Sequence, residues 1–149
     1  PINVSRFFIS FHRLKNSIIF IAHHWSTLAF IGIEYDINTI WHTMYSVTVA
    51  KYPHWVDFDA GDVKNIKGFI YLPRQDGPNG NIKDYEILVS LDGKNWGEPI
   101  MKGTFENNQK EKKVMLKAPV KARYFRFRAL SSQNGQDFAS GSEFSIIAE

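Results

Sequence analysis

Residues 55–61 read Trp55 Val56 Asp57 Phe58 Asp59 Ala60 Gly61, so that apolar side chains alternate with carboxylates. The same period of two residues recurs at residues 84–89 and 123–129, where apolar residues alternate with acidic residues and with arginines. This period is typical of a β-strand that buries one face and leaves the other face polar. No segment of ten or more residues keeps an apolar stripe at helical spacing, so the sequence predicts an all-β fold.

Turn-forming residues separate the predicted strands at residues 60–62, 77–80, 91–95 and 133–135. Within the third of these, Asp92 and Gly93 predict a hairpin tip. Strands joined by short turns favour an antiparallel β-sandwich or barrel, and 149 residues suffice for one domain over residues 1–149. The side chains expected on the polar faces of the strands are Asp57, Asp59, Asp84, Glu86, Arg126 and Arg128.

Composition excludes some kinds of chemistry and leaves others open. The chain has no cysteine, so it can form neither a disulfide nor a thiolate metal site. The net charge of +3 and the lysines and arginines of residues 110–128 make nucleic acid a possible partner. Because Arg126 and Arg128 alternate with Phe125 and Phe127, a solvated strand face is the better interpretation, and we expect no nucleic-acid partner.

An apolar segment at residues 18–33 raises the question of a membrane span. His23, His24 and Trp25 interrupt the segment, and it falls short of the roughly 20 residues that a spanning helix needs. We therefore expect a buried strand and loop in this region, and no membrane span.

Two polar residues occupy a turn-rich loop directly after the predicted strand at residues 69–72. The forked guanidinium of Arg74 suits neighbouring hydroxyls or a carboxylate, but a surface ion pair with Asp76 or Asp84 is an equally good interpretation. Asn79 offers a donor and an acceptor in the same loop, although an ordinary turn asparagine would look the same.

Further candidates are a histidine and two aromatic rings. A neutral His42 can accept a hydrogen bond from a hydroxyl, while Tyr45 or Phe138 can supply a flat apolar face. His42 could equally be a core or turn histidine, and Phe138 taken alone is more often a core residue. Because a sugar presents hydroxyl edges and an apolar face together, the set as a whole predicts a sugar site.

Signals for catalysis are weak. Asp57 and Asp59 share a strand face, as the carboxylates of a hydrolase do, but they are better interpreted as the polar side of a strand. We find neither a nucleophile with a base nor a glycine-rich phosphate loop, and we expect no enzymatic activity. Hard oxygen donors of the kind that calcium prefers, or simply a polar turn, occur at Glu34, Asp36, Asn38, Thr39 and Glu143.

Seven motifs in order resemble the coagulation-factor 5/8 type C (F5/8 type C), or discoidin, domain in its bacterial form, the family 32 carbohydrate-binding modules. They are NTIWHT at 38–43, PHWVDFDAG at 53–61, LPRQDG at 72–77, IKDYEI at 82–87, DGKNWG at 92–97, KARYFRFRA at 121–129 and SEF at 142–144. The resemblance covers residues 29–149, whereas residues 1–28 match poorly.

This resemblance implies an eight-stranded, jelly-roll-like β-sandwich without catalytic activity. Such modules are monomeric parts of larger glycoside hydrolases that are secreted, periplasmic or displayed on the bacterial surface, and loops at one end hold galactose or N-acetylgalactosamine on glycans. By position the sugar-binding residues would be His42, Arg74 and Asn79, with Tyr45 and Phe138 as the rings. A discoidin-type adhesion domain, which binds protein or membrane surfaces through apolar loop tips, is the rival.

The resemblance also implies a structural calcium ion. Glu34 and Tyr35 stand where family members carry aspartate and glycine, which strains the loop around the metal. By position the ligands would be the carbonyls of Ile31, Asp36 and Ser142 together with Glu34, Thr39 and Glu143.

Overall fold

The computed structural model describes residues 19–21, 40–43 and 49–149, and of residues 19–21 only the backbone. Within these residues all regular structure is β-strand, which confirms the predicted fold class. The strands are β1 (Ile19–Ile21), β2 (Trp41–His42), β3 (His54–Leu72), β4 (Asp84–Ser90), β5 (Met101–Thr104), β6 (Lys112–Ala129), β7 (Ser140–Gly141) and β8 (Glu143–Ala148).

Two long strands, β3 and β6, organise the sheet. The strand order is β1-β3-β6-β4-β5, with β8 beside the second half of β3, and β2 pairs with β7 in a separate two-stranded sheet. A register shift between Asp59 and Lys64 divides β3 into a first half beside β1 and a second half beside β8. Between the strands that the structure describes, every ladder is antiparallel, as predicted, except the parallel pairing of β1 with β3.

Aromatic residues form much of the core. The inward positions that the alternation predicts are buried at Val56, Phe58, Phe125 and Phe127, whereas Val89 is only half-buried. Full burial of such a side chain contributes about 1.5–3 kcal/mol each. Rings that contact one another across this core belong to Phe69, Tyr71, Tyr85, Phe105, Phe127 and Phe144.

The polar strand faces carry ion pairs between neighbouring strands. Arg126 makes two hydrogen bonds to Asp57, at 2.6 and 2.7 Å, in the way expected of a polar face. Glu86 also lies on its polar face but is only 4% exposed, because Arg128 of β6 and Lys102 of β5 flank it. Alternation alone shows which face a residue occupies, but not whether neighbouring long side chains cover it.

The predicted hairpin tip belongs to a longer connection. Residues 91–100 join the antiparallel strands β4 and β5, and the Asp92 carboxylate accepts hydrogen bonds from the backbone of Lys94 and Asn95 at 2.9 and 2.8 Å. Of the apolar segment at residues 18–33, only strand β1 lies among the described residues. In the described part of the chain, no helix has the length and apolar character needed to cross a bilayer.

Candidate functional site

Three segments meet beside the small β2–β7 sheet. They are the end of β2 at residues 42–43, the loop of residues 73–83 after β3, and the loop of residues 130–139 before β7; we call them together the rim. Backbone hydrogen bonds join them, from Thr43 N to the Ala139 carbonyl at 3.0 Å and from Ser140 N to the Gly80 carbonyl at 2.8 Å. The rim therefore brings together side chains that are about a hundred residues apart in sequence.

Gly80 lets two of these loops approach closely. Its φ of +73° lies in the left-handed region, and a Cβ atom there would come within 2.9 Å of Cδ2 of Phe138. The same atom would lie 3.1 Å from backbone atoms of Ala139 and Ser140. A side chain at this position would push Phe138 away, so glycine is needed to place that ring.

The buried hydroxyl of Tyr71 fastens the rim to β3. It donates a hydrogen bond to the Ser140 carbonyl at 2.9 Å and accepts one from Ile82 N at 3.1 Å. Burial raises the pKa of Tyr71, so the hydroxyl keeps its proton and its role as donor at physiological pH. One side chain thus connects β3, the 73–83 loop and β7.

His42 is held in a defined tautomer. Its Nδ1 lies 2.5 Å from the Thr43 carbonyl, and because a carbonyl can only accept, Nδ1 carries the proton and Nε2 the lone pair. Burial and the charge of Arg74 lower the pKa of His42, while the Thr43 carbonyl and Asp76 act in the opposite direction. The net lowering keeps the ring neutral at pH 7, as a hydrogen-bond acceptor at Nε2.

Arg74 forms the ion pair that its sequence context allowed, with Asp76 and not with Asp84. Its Nε and Nη2 both lie 2.6 Å from the Asp76 carboxylate, in the fork-to-fork arrangement. Asp84 instead accepts hydrogen bonds from Ser131 and Thr104. The pair with Asp76 holds the guanidinium, and the charge of Arg74 is one of the causes that lower the pKa of His42.

Phe138 and Asn79 complete the described part of the site. The rings of His42 and Phe138 pack with their centroids 5.0 Å apart and their planes at 30°, and Phe138 is half-buried. Asn79 is exposed, and its Oδ1 accepts a hydrogen bond from Gln136 at 3.2 Å. The structure therefore places four of the five predicted sugar-binding residues on one rim. Tyr45 lies outside the described residues.

The predicted calcium ligands are mostly beyond the described part of the chain. Ser142 N donates to the Leu72 carbonyl at 2.8 Å, and the Glu143 carboxylate accepts a hydrogen bond from Ser145 at 2.9 Å. Among residues 40–43 and 49–149, no group of three or more histidine, aspartate or glutamate side chains could hold a metal ion. The ligands that lie outside the described residues are Ile31, Glu34, Asp36 and Thr39.

The two aspartates that resembled a hydrolase pair serve the sheet instead. Asp59 accepts two hydrogen bonds from Arg123, at 2.7 and 2.8 Å, which lower the pKa of its carboxyl. A general acid needs a raised pKa, the opposite of what Asp59 has. Asp57 accepts two hydrogen bonds from Arg126 of the neighbouring strand. The arrangement fits the polar strand face that the alternation favours.

Sequence reasoning missed the residues that support the site. Gln136, Tyr71 and Gly80 act through contacts between segments that are distant in sequence. Gly80 carried a usable signal, because a Pro-Asn-Gly turn often needs a left-handed residue. Gln136 carried none, since nothing in residues 130–139 indicates that its partners lie 56 and 57 positions away.

The strands and the rim define a class of protein, namely a mainly antiparallel β-sandwich with candidate binding groups on the loops at one end. The model of the F5/8 type C domain matches residues 24–144. The chain therefore belongs to the F5/8 type C domain family.

Solved structures place it near the bacterial carbohydrate-binding modules of family 32. A family 32 module from Clostridium perfringens in complex with GalNAc-β-1,3-galactose is 35% identical, with a TM-score of 0.68 over 74% of this chain and 76% of that one. The family 32 module of C. perfringens NanJ in complex with galactose is 29% identical, with a TM-score of 0.65 over 74% and 77%.

Curated relatives are much longer proteins. A sialidase from Micromonospora viridifaciens is 36% identical over 115 residues, which are 76% of this chain and 18% of the sialidase. A galactose oxidase from Gibberella zeae is 35% identical over 118 residues, which are 78% of this chain and 17% of the oxidase. The chain thus spans less than a fifth of the length of either relative.

Proposed function

We propose that the rim binds galactose-configured sugars, galactose or N-acetylgalactosamine, on glycans. The observation that carries the proposal is that His42 packs against Phe138 on the same rim that holds Arg74. This arrangement brings an acceptor, a cationic donor and an apolar ring onto one rim. A sugar offers complementary groups, since its hydroxyls can donate and accept while one face of its ring is apolar.

The chemistry of the two polar groups favours a hydroxyl over a carboxylate. Toward a ligand, a neutral His42 ring can accept a hydrogen bond at Nε2, whereas the guanidinium of Arg74 can only donate. A sugar hydroxyl can both donate to the imidazole and accept from a guanidinium, but an ionised carboxylate has no proton for the imidazole. This requirement supports a neutral sugar as the ligand.

The relatives support the choice of sugar. The two family 32 modules described above were solved with GalNAc-β-1,3-galactose and with galactose, and they are 35% and 29% identical to this chain. A site with few hydrogen bonds and one ring suggests dissociation constants from millimolar to high micromolar, about 4–6 kcal/mol. Useful attachment to a glycan surface would then depend on several modules or ligands acting together.

Titration calorimetry with galactose, N-acetylgalactosamine and glucose tests the proposal. We expect heat of binding when galactose or N-acetylgalactosamine is added to the unchanged protein. We expect none when either sugar is added to Arg74→Ala. Arg123→Ala is the matched control, because Arg123 forms the same two-bonded pair with an aspartate but belongs to β6, outside the rim. Absence of heat with galactose and N-acetylgalactosamine, together with sedimentation on phosphatidylserine vesicles, would favour the rival adhesion function.

We infer further that the module is a non-catalytic, monomeric part of a larger secreted or cell-surface enzyme. The sialidase match, of which this chain spans 18%, supports a role as an accessory domain. Turnover of an aryl galactoside by this chain, abolished by Asp57→Asn or Asp59→Asn, would overturn the inference.

Calcium is proposed as a structural ion, held by Ser142, Glu143 and residues before β2. The Ser142 Oγ is buried without a hydrogen-bond partner among the described residues, which fits a polar neighbour supplied from elsewhere. We expect calcium, but not magnesium, to raise the Tm, with a smaller rise in Glu143→Gln. Equal Tm values in calcium and in chelator would contradict the proposal.

A further inference from the structure

Gln136 connects the two loops that carry Asn79 and Phe138. Its Oε1 accepts a hydrogen bond from Gly80 N at 2.9 Å, and its Nε2 donates one to Oδ1 of Asn79 at 3.2 Å. Its own backbone carbonyl accepts a hydrogen bond from the Ser132 hydroxyl at 2.7 Å. The side chain is thus fixed at its amide end while its backbone is fixed by a buried serine.

These contacts determine which way the Asn79 amide faces. The backbone N–H of Gly80 can only donate, so the oxygen of the Gln136 amide must face it. The nitrogen of that amide then faces Asn79 and can only donate, so Asn79 must offer its oxygen in return. The Asn79 NH₂ group is left on the side of its amide that points away from Gln136.

We propose that Gln136 is a positioning residue that presents the NH₂ group of Asn79 to the sugar as a donor. The proposal rests on the function proposed above and deepens it. With His42 as an acceptor, and Arg74 and Asn79 as donors, the rim has a fixed pattern of polar groups before the sugar arrives. Such a pattern spares the ordering of an exposed side chain on binding.

The variant Gln136→Glu tests this role with little change in shape. The new carboxylate still accepts from Gly80 N, so the two loops stay joined. It cannot donate to Asn79, whose amide turns to donate to the carboxylate and presents its oxygen to the sugar. The control Asn134→Asp adds the same charge to the same loop, at an exposed position.

Calorimetry with galactose should show a loss of about three- to tenfold in affinity for Gln136→Glu, the range expected for one hydrogen bond. Asn79→Ala should lose a similar factor, and the double variant no more than either alone. The side-chain amide signals of Asn79 in NMR spectra should shift in Gln136→Glu, while the Tm stays unchanged. Asn134→Asp should bind like the unchanged protein.

Three results would overturn the proposal, and the third would overturn the proposed function as well. If the unchanged protein binds galactose and the affinity of Gln136→Glu is within twofold of it, only the role of Gln136 fails. The same holds if the affinity losses of Gln136→Glu and Asn79→Ala add up in the double variant. If the unchanged protein binds no galactose-configured sugar, the proposed function fails and this role fails with it.

Discussion

At the scale of single residues, the Arg74–Asp76 pair sets the direction of the guanidinium. The Arg74 side chain is 14% exposed, and two of its N–H groups donate hydrogen bonds to the Asp76 carboxylate, each at 2.6 Å. The cation is therefore held rather than mobile, which lowers the entropy that a ligand contact would cost. The ion pair that the sequence allowed is therefore present, and it would pre-orient Arg74 for the proposed contact with a sugar.

The substitution Asp76→Asn tests this support. An amide can still accept from Arg74, but it loses the charge and the symmetric two-oxygen fork that hold the guanidinium. We expect roughly three- to tenfold weaker galactose binding by calorimetry, from the loss of one charge-assisted contact. Affinity equal to that of the unchanged protein would show that Arg74 needs no support from Asp76.

Protonation of His42 should weaken sugar binding. Because its pKa in the folded protein lies below 6.5, the ring is neutral at pH 7 and a proton competes with the sugar for Nε2 only in acid. We expect constant affinity from pH 8 to about 6.5 and a decline as the pH falls further, with at most a tenfold loss per pH unit. Calorimetry as a function of pH measures this.

The variant His42→Gln has no titrating ring and serves as the control for that profile. It should bind more weakly at pH 7, and its affinity should not decline as the pH falls below about 6.5. An affinity that rises in acid, or a profile that His42→Gln shares, would show that another group, such as Asp76, governs the titration.

At the scale of elements, the approach of the 73–83 loop to the 130–139 loop positions the aromatic ring. Gly80→Ala should displace Phe138, because the added methyl group would lie 2.9 Å from its ring. Gly135→Ala is the matched control, since its φ of +72° imposes the same strain with open space around the Cβ. Both variants should lose about 1 kcal/mol of stability from strain, but only Gly80→Ala should lose galactose binding by calorimetry.

Two outcomes for Gly80→Ala and Gly135→Ala would contradict this explanation. If Gly135→Ala and Gly80→Ala bind galactose equally well, the contact between Gly80 and Phe138 does not place the ring. If both variants lose binding, backbone strain in either loop is enough to abolish it, and the close approach of Gly80 to Phe138 is not the specific cause.

The same scale shows where sequence reasoning succeeds and where it stops. Alternation predicted the buried faces of β3 and β6 at Val56, Phe58 and Phe127, because each residue's face depends only on its neighbours in sequence. It missed the burial of Glu86, which depends on side chains from two other strands. Alternation also could not predict that Tyr71 and Gln136 support the rim, because their partners belong to segments that are distant in sequence.

At the scale of the whole molecule, cross-strand and loop carboxylates make stability depend on acid. Hydrogen bonds from Arg123 lower the pKa of Asp59, and those from Ser131 and Thr104 lower the pKa of Asp84. A lowered folded-state pKa stabilises the protein above the unfolded value of 3.8, and this contribution is lost as the pH falls below that value.

We therefore expect the free energy of unfolding in urea to be highest near neutral pH and to fall steeply below about pH 4. Asp59→Asn should be less stable at pH 7 and should show a shallower decline. Circular dichroism at pH 7 and pH 3 measures both values. An unfolding free energy that is unchanged between these pH values would contradict the assignment of these carboxylates to stabilising contacts.

For the molecule as a whole, the ordered motifs predicted the family, and the F5/8 type C match over residues 24–144 confirms it. The sugar-binding roles of His42, Arg74, Asn79 and Phe138 stay predictions, although the structure places these residues on one rim. Residues such as Tyr45 and Glu34 lie outside the described part of the chain. Their roles rest on position in the family pattern alone.

A titration of the ¹⁵N-labelled protein with galactose, followed by two-dimensional NMR, tests the central claim most directly. We predict saturable shifts confined to the amide signals of the rim, including Thr43, Arg74, Asn79 and Phe138, and none with glucose. Shifts centred instead on residues 91–100, or no shifts at high galactose concentration, would contradict the claim that the rim binds the sugar.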